Sequence, residues 1–228
     1  MTDPIDTPAN APRTDEHLTE RLARFDRELR VKGPHWSQAY DDLVGRLREA
    51  EAGSGAPKAG EPFPSFLLPD EKSHLVYFED LIANGPLVIS FNRGHWCNYC
   101  QMELRALQTN LPEIAASGAS VISITPELPV YSAACKTENH LTFPLLCDLD
   151  LAVALSLGLA IPIGEHIATM LTDDGVQLSQ LHGGTGWLLP IPATFVIARD
   201  GTIATCYVDP DFRRRLDPAD ILAALGQL

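Results

Sequence analysis

Basic residues are scarce in this chain. Lysine and arginine number 17 against 30 aspartates and glutamates, a formal net charge of −13 over 228 residues. That balance excludes a broad basic face for nucleic acid and disfavours docking on an acidic membrane. Long apolar runs are missing as well. Although 45% of the residues are hydrophobic, none of the runs reaches the roughly 18 residues of a spanning helix. Met1 to Glu16 has neither the basic patch nor the apolar stretch of a secretory signal. The expected location is the cytoplasm, where thiols are kept reduced. Five cysteines are too few for a disulfide scaffold, and an odd count leaves one unpaired.

What is present is an alternation of strand and helix signals. Residues 1–14 carry three prolines and no apolar rhythm, and are expected to be a flexible tail. Residues 15–52 read as a helical arm. Leu18, Leu22, Phe25 and Leu29 share one helical face, and Trp36, Tyr40, Leu43 and Leu47 share another. Such an arm either packs on the rest of the chain or joins two copies into a homodimer. Residues 53–60 are the linker, at the start of a Gly/Pro-rich stretch that runs to Pro64.

Residues 61–228 are expected to form one α/β domain. Leu87–Phe91 is a short apolar run of strand length, a helical stripe of Leu104, Leu107 and Leu111 follows, and Val121–Ile124 is the next strand. Strand, helix, strand in that order implies parallel pairing through a crossover. A helix within 128–139, a strand at 144–148 and a short helix over 149–157 continue the pattern. The stretch 159–190 is less regular, and a segment of that length serves as a lid or an interface. Thr194–Ile197 and Ile203–Val208 then form a hairpin through Asp200-Gly201. Asp217-Pro218 opens the last helix with an N-cap and a proline in the first turn.

The chemistry concentrates in Cys97 and Cys100, the only C-x-x-C, placed where a strand gives way to a helix. Free N–H groups and the positive helix end stabilise a thiolate there. Three residues of separation let one sulfur attack and the other resolve the mixed disulfide. Competing readings are a zinc knuckle, two inert buried thiols, and a fold whose redox role has lapsed. Zinc needs two further ligands, and neither a second C-x-x-C nor a close His pair exists. No metal and no cofactor are expected.

The string Phe91-Asn92-Arg93-Gly94-His95-Trp96-Cys97-Asn98-Tyr99-Cys100, with Pro-Ala-Thr-Phe-Val-Ile downstream, resembles the peroxiredoxin-like AhpC/TSA branch of the thioredoxin superfamily. The resemblance runs from about Gly60 onward and implies a thioredoxin-like α/β fold, a central mixed sheet flanked by helices, here with an N-terminal helical extension. It also implies a thiol-dependent oxidoreductase cycling between dithiol and disulfide. The peroxiredoxin register P-x-x-x-T-x-x-C would end at Cys100, with Glu103 matching the family's glutamate. The threonine position is then Cys97 and the proline position Arg93. The family's arginine before the late strand is missing: Pro192 stands there, and no arginine occurs between Arg105 and Arg199.

By the same resemblance, Pro192 is expected to follow a cis peptide bond and to face the redox pair. Trp96 is similar to the tryptophan that lines a thioredoxin substrate surface. Thioredoxin analogy makes Cys97 the exposed nucleophile, whereas the peroxiredoxin register gives the attack to Cys100. The missing threonine and arginine fit disulfide exchange better than peroxide cleavage, while family membership favours the peroxide. Arg93 could lower a thiol pKa or hold an anionic substrate, and His95 could shuttle protons. Asp209, Asp211, Arg213, Arg214 and Arg215 read as a solvated turn with internal ion pairs. Cys147 and Cys206 are expected to be buried, and Cys135 is the one candidate for a third redox cysteine. The partners implied are a thioredoxin-like or small-thiol electron donor and a peroxide or disulfide substrate, without nucleic acid or membrane. A redox sensor without turnover is the rival function.

Overall fold

A computed structural model describes residues 16–184 and 186–228. The expected tail of residues 1–14 lies outside the described residues, as does Thr185. The chain begins with helices α1 (Leu18–Lys32) and α2 (Pro34–Glu49). There follow β1 (Leu67–Pro69), β2 (Leu75–Tyr77), α3 (Phe78–Ala83), β3 (Leu87–Phe91), α4 (Asn98–Ala116), β4 (Ser120–Thr125), α5 (Pro129–Glu138), β5 (Leu145–Cys147) and α6 (Ala152–Ser156). The last third holds β6 (Ala160–Pro162), α7 (Glu165–Asp173), α8 (Leu178–Leu181), β7 (Leu188–Pro190), β8 (Ala193–Ile197), β9 (Ile203–Val208) and α9 (Pro218–Leu225).

The central sheet has the order β5-β4-β3-β8-β9. β3, β4 and β5 run parallel, and β8 and β9 join antiparallel. β3 is buried at every position, as a central strand covered on both faces must be, and its unbroken apolar run follows from that. Phe91 ends β3 level with Ala193, the first residue of β8. The loop after β3 and the chain entering β8 therefore meet at one edge of the sheet. The final helix begins as its sequence implied, with Asp217 accepting a hydrogen bond from the Ala219 N–H at 3.1 Å.

The apolar stripe of α1 is covered within the chain. Leu18, Leu22, Phe25 and Leu29 are all buried, and Phe25 meets Tyr99 of α4 edge-on with ring centroids 4.9 Å apart. α2 is fixed by Tyr40 against Phe212, also 4.9 Å apart and edge-on, and by the Trp36 indole N–H donating to Asp174 at 2.8 Å. Burying a phenylalanine contributes about 2 kcal/mol, and an edge-on aromatic pair adds up to about 1 kcal/mol.

Some elements differ from expectation. The stretch 159–190 is more ordered than its sequence suggests: β6 and β7 pair antiparallel outside the main sheet, and α7 and α8 lie between them. Strands of three residues are too short to show a two-residue period, and the same holds for the small β1–β2 pair. Among the described residues no peptide bond is cis, so the expected cis bond before Pro192 is trans. Pro192 joins β7 to β8 as a plain connector, where the missing N–H costs no ladder bond and trans is the favoured isomer. No described helix is long and apolar enough to cross a membrane.

Candidate active site

The loop from β3 to α4 is built to hold a tight turn. The Asn92 side chain donates to Ser123 Oγ on β4 at 2.7 Å and accepts the Gly94 N–H at 2.9 Å. Gly94 has φ +127°, and a Cβ there would fall 2.6 Å from Glu127 Oε1, so only glycine fits. Glu127 accepts from the His95 N–H at 2.8 Å and pairs with its ring Nδ1 at 2.7 Å. That pairing raises the His95 pKa against the opposing effect of burial. The imidazole lies parallel to Tyr131, with centroids 5.8 Å apart. Cys97 then caps α4, its carbonyl accepting the Gln101 N–H at 3.0 Å.

Cys97 and Cys100 face each other with their sulfurs 2.9 Å apart, Cys100 donating. They are 4% and 0% exposed. The exposed nucleophile of the thioredoxin analogy is thus corrected: both sulfurs are buried, and Tyr99, which lies between them in sequence, is packed by Phe25 of α1 and by Phe212. The Arg93 N–H donates to Cys100 Sγ at 3.4 Å, and Arg215 Nη2 reaches the same sulfur at 3.4 Å. Burial alone would raise both thiols. At Cys97 the hydrogen bond from Cys100 and the charges of Arg93 and Arg215 reverse it, bringing the pKa down to about 6. Cys100 moves up, through burial and the bond it donates to Cys97.

Arg215 is the residue that sequence reasoning misjudged. Its side chain is 1% exposed, so the expectation of a solvated turn fails for it. It donates to Glu103 at 2.5 Å, to the carbonyl oxygens of Phe212 and Arg214, and to Cys100. Arg213 is also drawn in, pairing with Asp41 at 2.6 Å and Asp211 at 2.7 Å. Glu103 is fully buried and also accepts from Ser90 at 3.0 Å and Thr194 at 3.4 Å. Burial pushes its carboxyl up while Arg215 pulls it down. Burial prevails, so the Glu103 carboxyl stands above the ordinary carboxylate range even beside the Arg215 guanidinium. The signal available in the sequence was the run of three arginines following a stretch that had none.

Of the remaining expected residues, Arg93 is buried, its guanidinium 4.0 Å from the Phe212 ring centre and 5.0 Å from that of Trp96. Trp96 is half-buried. Pro192 precedes Ala193, the residue paired with Phe91 at the sheet edge carrying the loop. Cys135 and Cys147 are buried, with thiols pushed up to about 12 and about 11 by desolvation. Cys135 is therefore unsuited as a third redox thiol. Cys206 is only half-buried, because β9 is an edge strand. No group of three or more candidate metal ligands occurs among the described residues.

The sheet order and its flanking helices define a thioredoxin-like fold. The profile of the AhpC/TSA family matches residues 59–206, and the chain belongs to that family. It is similar to peroxiredoxin bcp1 of Schizosaccharomyces pombe, 24% identical over 158 residues that cover 69% of this chain and 80% of the relative. A Mycobacterium tuberculosis protein named as a peroxiredoxin is 28% identical over 144 residues, 63% of this chain and 80% of its own. Among solved structures, peroxidoxin BcpB of Mycobacterium tuberculosis superposes with a TM-score of 0.59 at 22% identity, covering 75% of this chain and 97% of that one. The protein is an enzyme, a thiol-dependent oxidoreductase of the peroxiredoxin type.

Proposed function

We propose that Cys97 and Cys100 are the redox pair of this enzyme, with Cys97 attacking a hydroperoxide and Cys100 resolving. The observation that carries this reading is the charge balance of the buried cluster. Arg215 is paired with the Glu103 carboxyl, whereas Arg93 has no carboxylate partner among the described residues, and the charges of both guanidinium groups favour a thiolate at Cys97. Cys97 sits at the helix mouth, accepts the Cys100 S–H and is the less buried of the two. Arg215 holds Cys100 in place and fills the part left open by the missing arginine before β8.

Attack by the Cys97 thiolate on the terminal peroxide oxygen breaks the O–O bond. The sulfur loses two electrons and becomes a sulfenic acid, and the departing alkoxide or hydroxide takes a proton from solvent. The Cys100 thiol then displaces that hydroxyl as water and closes the Cys97–Cys100 disulfide. A sulfur pair this enclosed favours a small peroxide over a protein disulfide as oxidant. Electrons return from a thiol reductant, either a thioredoxin-like protein or a small thiol, in the reducing cytoplasm. The sensor reading has no observation of its own in its favour.

The test is an NADPH-coupled assay with thioredoxin and its reductase, run with hydrogen peroxide, an alkyl hydroperoxide and a disulfide. Turnover of the peroxides, lost in Cys97→Ser and reduced in Cys100→Ser, is the expected result. Undiminished turnover in both variants would sink the assignment.

A further inference from the structure

Two N–H donors beside Cys97 have no acceptor. Arg93 is 3% exposed, its Nη2 is fully buried and makes no hydrogen bond, and no carboxylate lies within ion-pair distance among the described residues. The Trp96 indole Nε1 is likewise buried without a partner. The Arg93 guanidinium lies over the Trp96 ring, 5.0 Å from its centre, Trp96 immediately precedes the Cys97 cap of α4, and the Arg93 charge acts on the Cys97 sulfur. Arg215 offers a contrast, because its donors are committed to Glu103, two carbonyls and Cys100. Buried donors are nearly always paired, and two left open side by side next to a thiol are free to take an acceptor from a water or a ligand.

We propose that Arg93 Nη2 and Trp96 Nε1 form the subsite that holds the departing oxygen of the hydroperoxide while Cys97 attacks its neighbour. This inference rests on the reading of Cys97 as the attacking thiolate. As the sulfur–oxygen bond forms and the O–O bond breaks, negative charge collects on the leaving oxygen. A fixed cation and a fixed N–H in a water-poor site stabilise that charge without reorganising. Phe212 and Trp96 supply apolar walls on either side of the guanidinium. A rival role for Trp96 is structural. Its Nε1 and the Glu127 carboxylate both crowd the same side of Gly94, and a small rotation would let one bond the other.

The experiment compares two electrophiles on the fully reduced protein. Hydrogen peroxide needs its leaving oxygen stabilised, and iodoacetamide does not. Rate constants are taken across pH and extrapolated to the fully ionised Cys97, so that a shifted thiol pKa cannot mimic the effect. In Trp96→Phe, which keeps the ring and removes the N–H, the peroxide constant is expected to fall about tenfold while alkylation stays within about threefold. In Arg93→Met the peroxide constant is expected to fall about a hundredfold, again with alkylation nearly unchanged. Should Arg93→Met fail to fold, Trp96→Phe decides alone. Peroxide constants unchanged, or falling by the same factor as alkylation, would overturn the subsite. A wild-type protein that alkylates readily yet ignores peroxide would overturn the underlying reading, and the subsite with it.

Discussion

Two regions of the molecule meet at the sulfur pair, and they differ in kind. Residues 59–206 match the AhpC/TSA family and supply the sheet, the α4 cap and both cysteines. The flanking segments, 16–58 and 207–228, lie outside that match. Yet both aromatic rings that pack on Tyr99, Phe25 and Phe212, come from the flanks. So does Arg215, the guanidinium on Cys100, and Arg213 binds Asp41 of α2. The family core holds the sulfurs and the Arg93 charge, and the flanks add the Arg215 charge and the rings packed on Tyr99. An open cleft of about 590 Å³ between α1 and the 207–215 segment has Arg215 on its wall.

If the core alone carries chemistry, the largest effect must come from it. Cys97→Ser should lower peroxide turnover by roughly a thousandfold or more, since no second nucleophile of low pKa stands nearby. Residual turnover close to wild type would shift the chemistry elsewhere. The next largest effect should come from a flank. Arg215→Met leaves Glu103 buried without its partner, and loss of about 3–5 kcal/mol in a urea unfolding titration is expected. The same variant should raise the Cys97 pKa, as a nearby positive charge is lost. A variant as stable as wild type would mean that Glu103 is held neutral.

The pH profile sharpens the same point. Cys97 has its pKa lowered to about 6, so its thiolate is fully formed above neutrality and disappears as pH falls through that value. Alkylation of the wild type should be flat above pH 7 and fall about tenfold for each unit well below 6. In Arg215→Met the midpoint should move upward. A wild-type midpoint near that of an ordinary thiol would remove the case for Arg93 and Arg215 as its stabilisers. A smaller effect is expected from Phe25→Ala. It deletes the α1 ring on Tyr99, costs about 3 kcal/mol, and should speed reaction with a bulky aromatic disulfide more than with iodoacetamide. Equal acceleration would show that α1 does not limit access. Cys135→Ala, far from these groups in character, should change turnover by less than about twofold.

Much of the core was legible because its signals are local. An apolar run as long as β3, the Asp-Gly hairpin and the Asp-Pro helix start each follow from neighbouring residues. The cysteine pair was legible for the same reason, since three residues of spacing at a helix start suffice. The site's second half was not. Arg215 meets Glu103 across 112 positions and Tyr99 meets Asp26 across 73. Side chains that far apart leave no periodicity, so a run of arginines looked like solvated surface. Pro192 shows the opposite error, where resemblance suggested a cis bond that the connection from β7 to β8 does not need.

The sequence by itself determined where the sulfurs lie on the chain, that a strand delivers them to a helix mouth, and that the architecture alternates strand and helix. These follow from backbone preferences and apolar spacing over a few residues. Only the tertiary structure decided which charges surround the sulfurs, and that both sulfurs are buried. Those outcomes depend on Coulomb energies and packing between segments far apart along the chain, which are fixed only once the sheet brings their ends together.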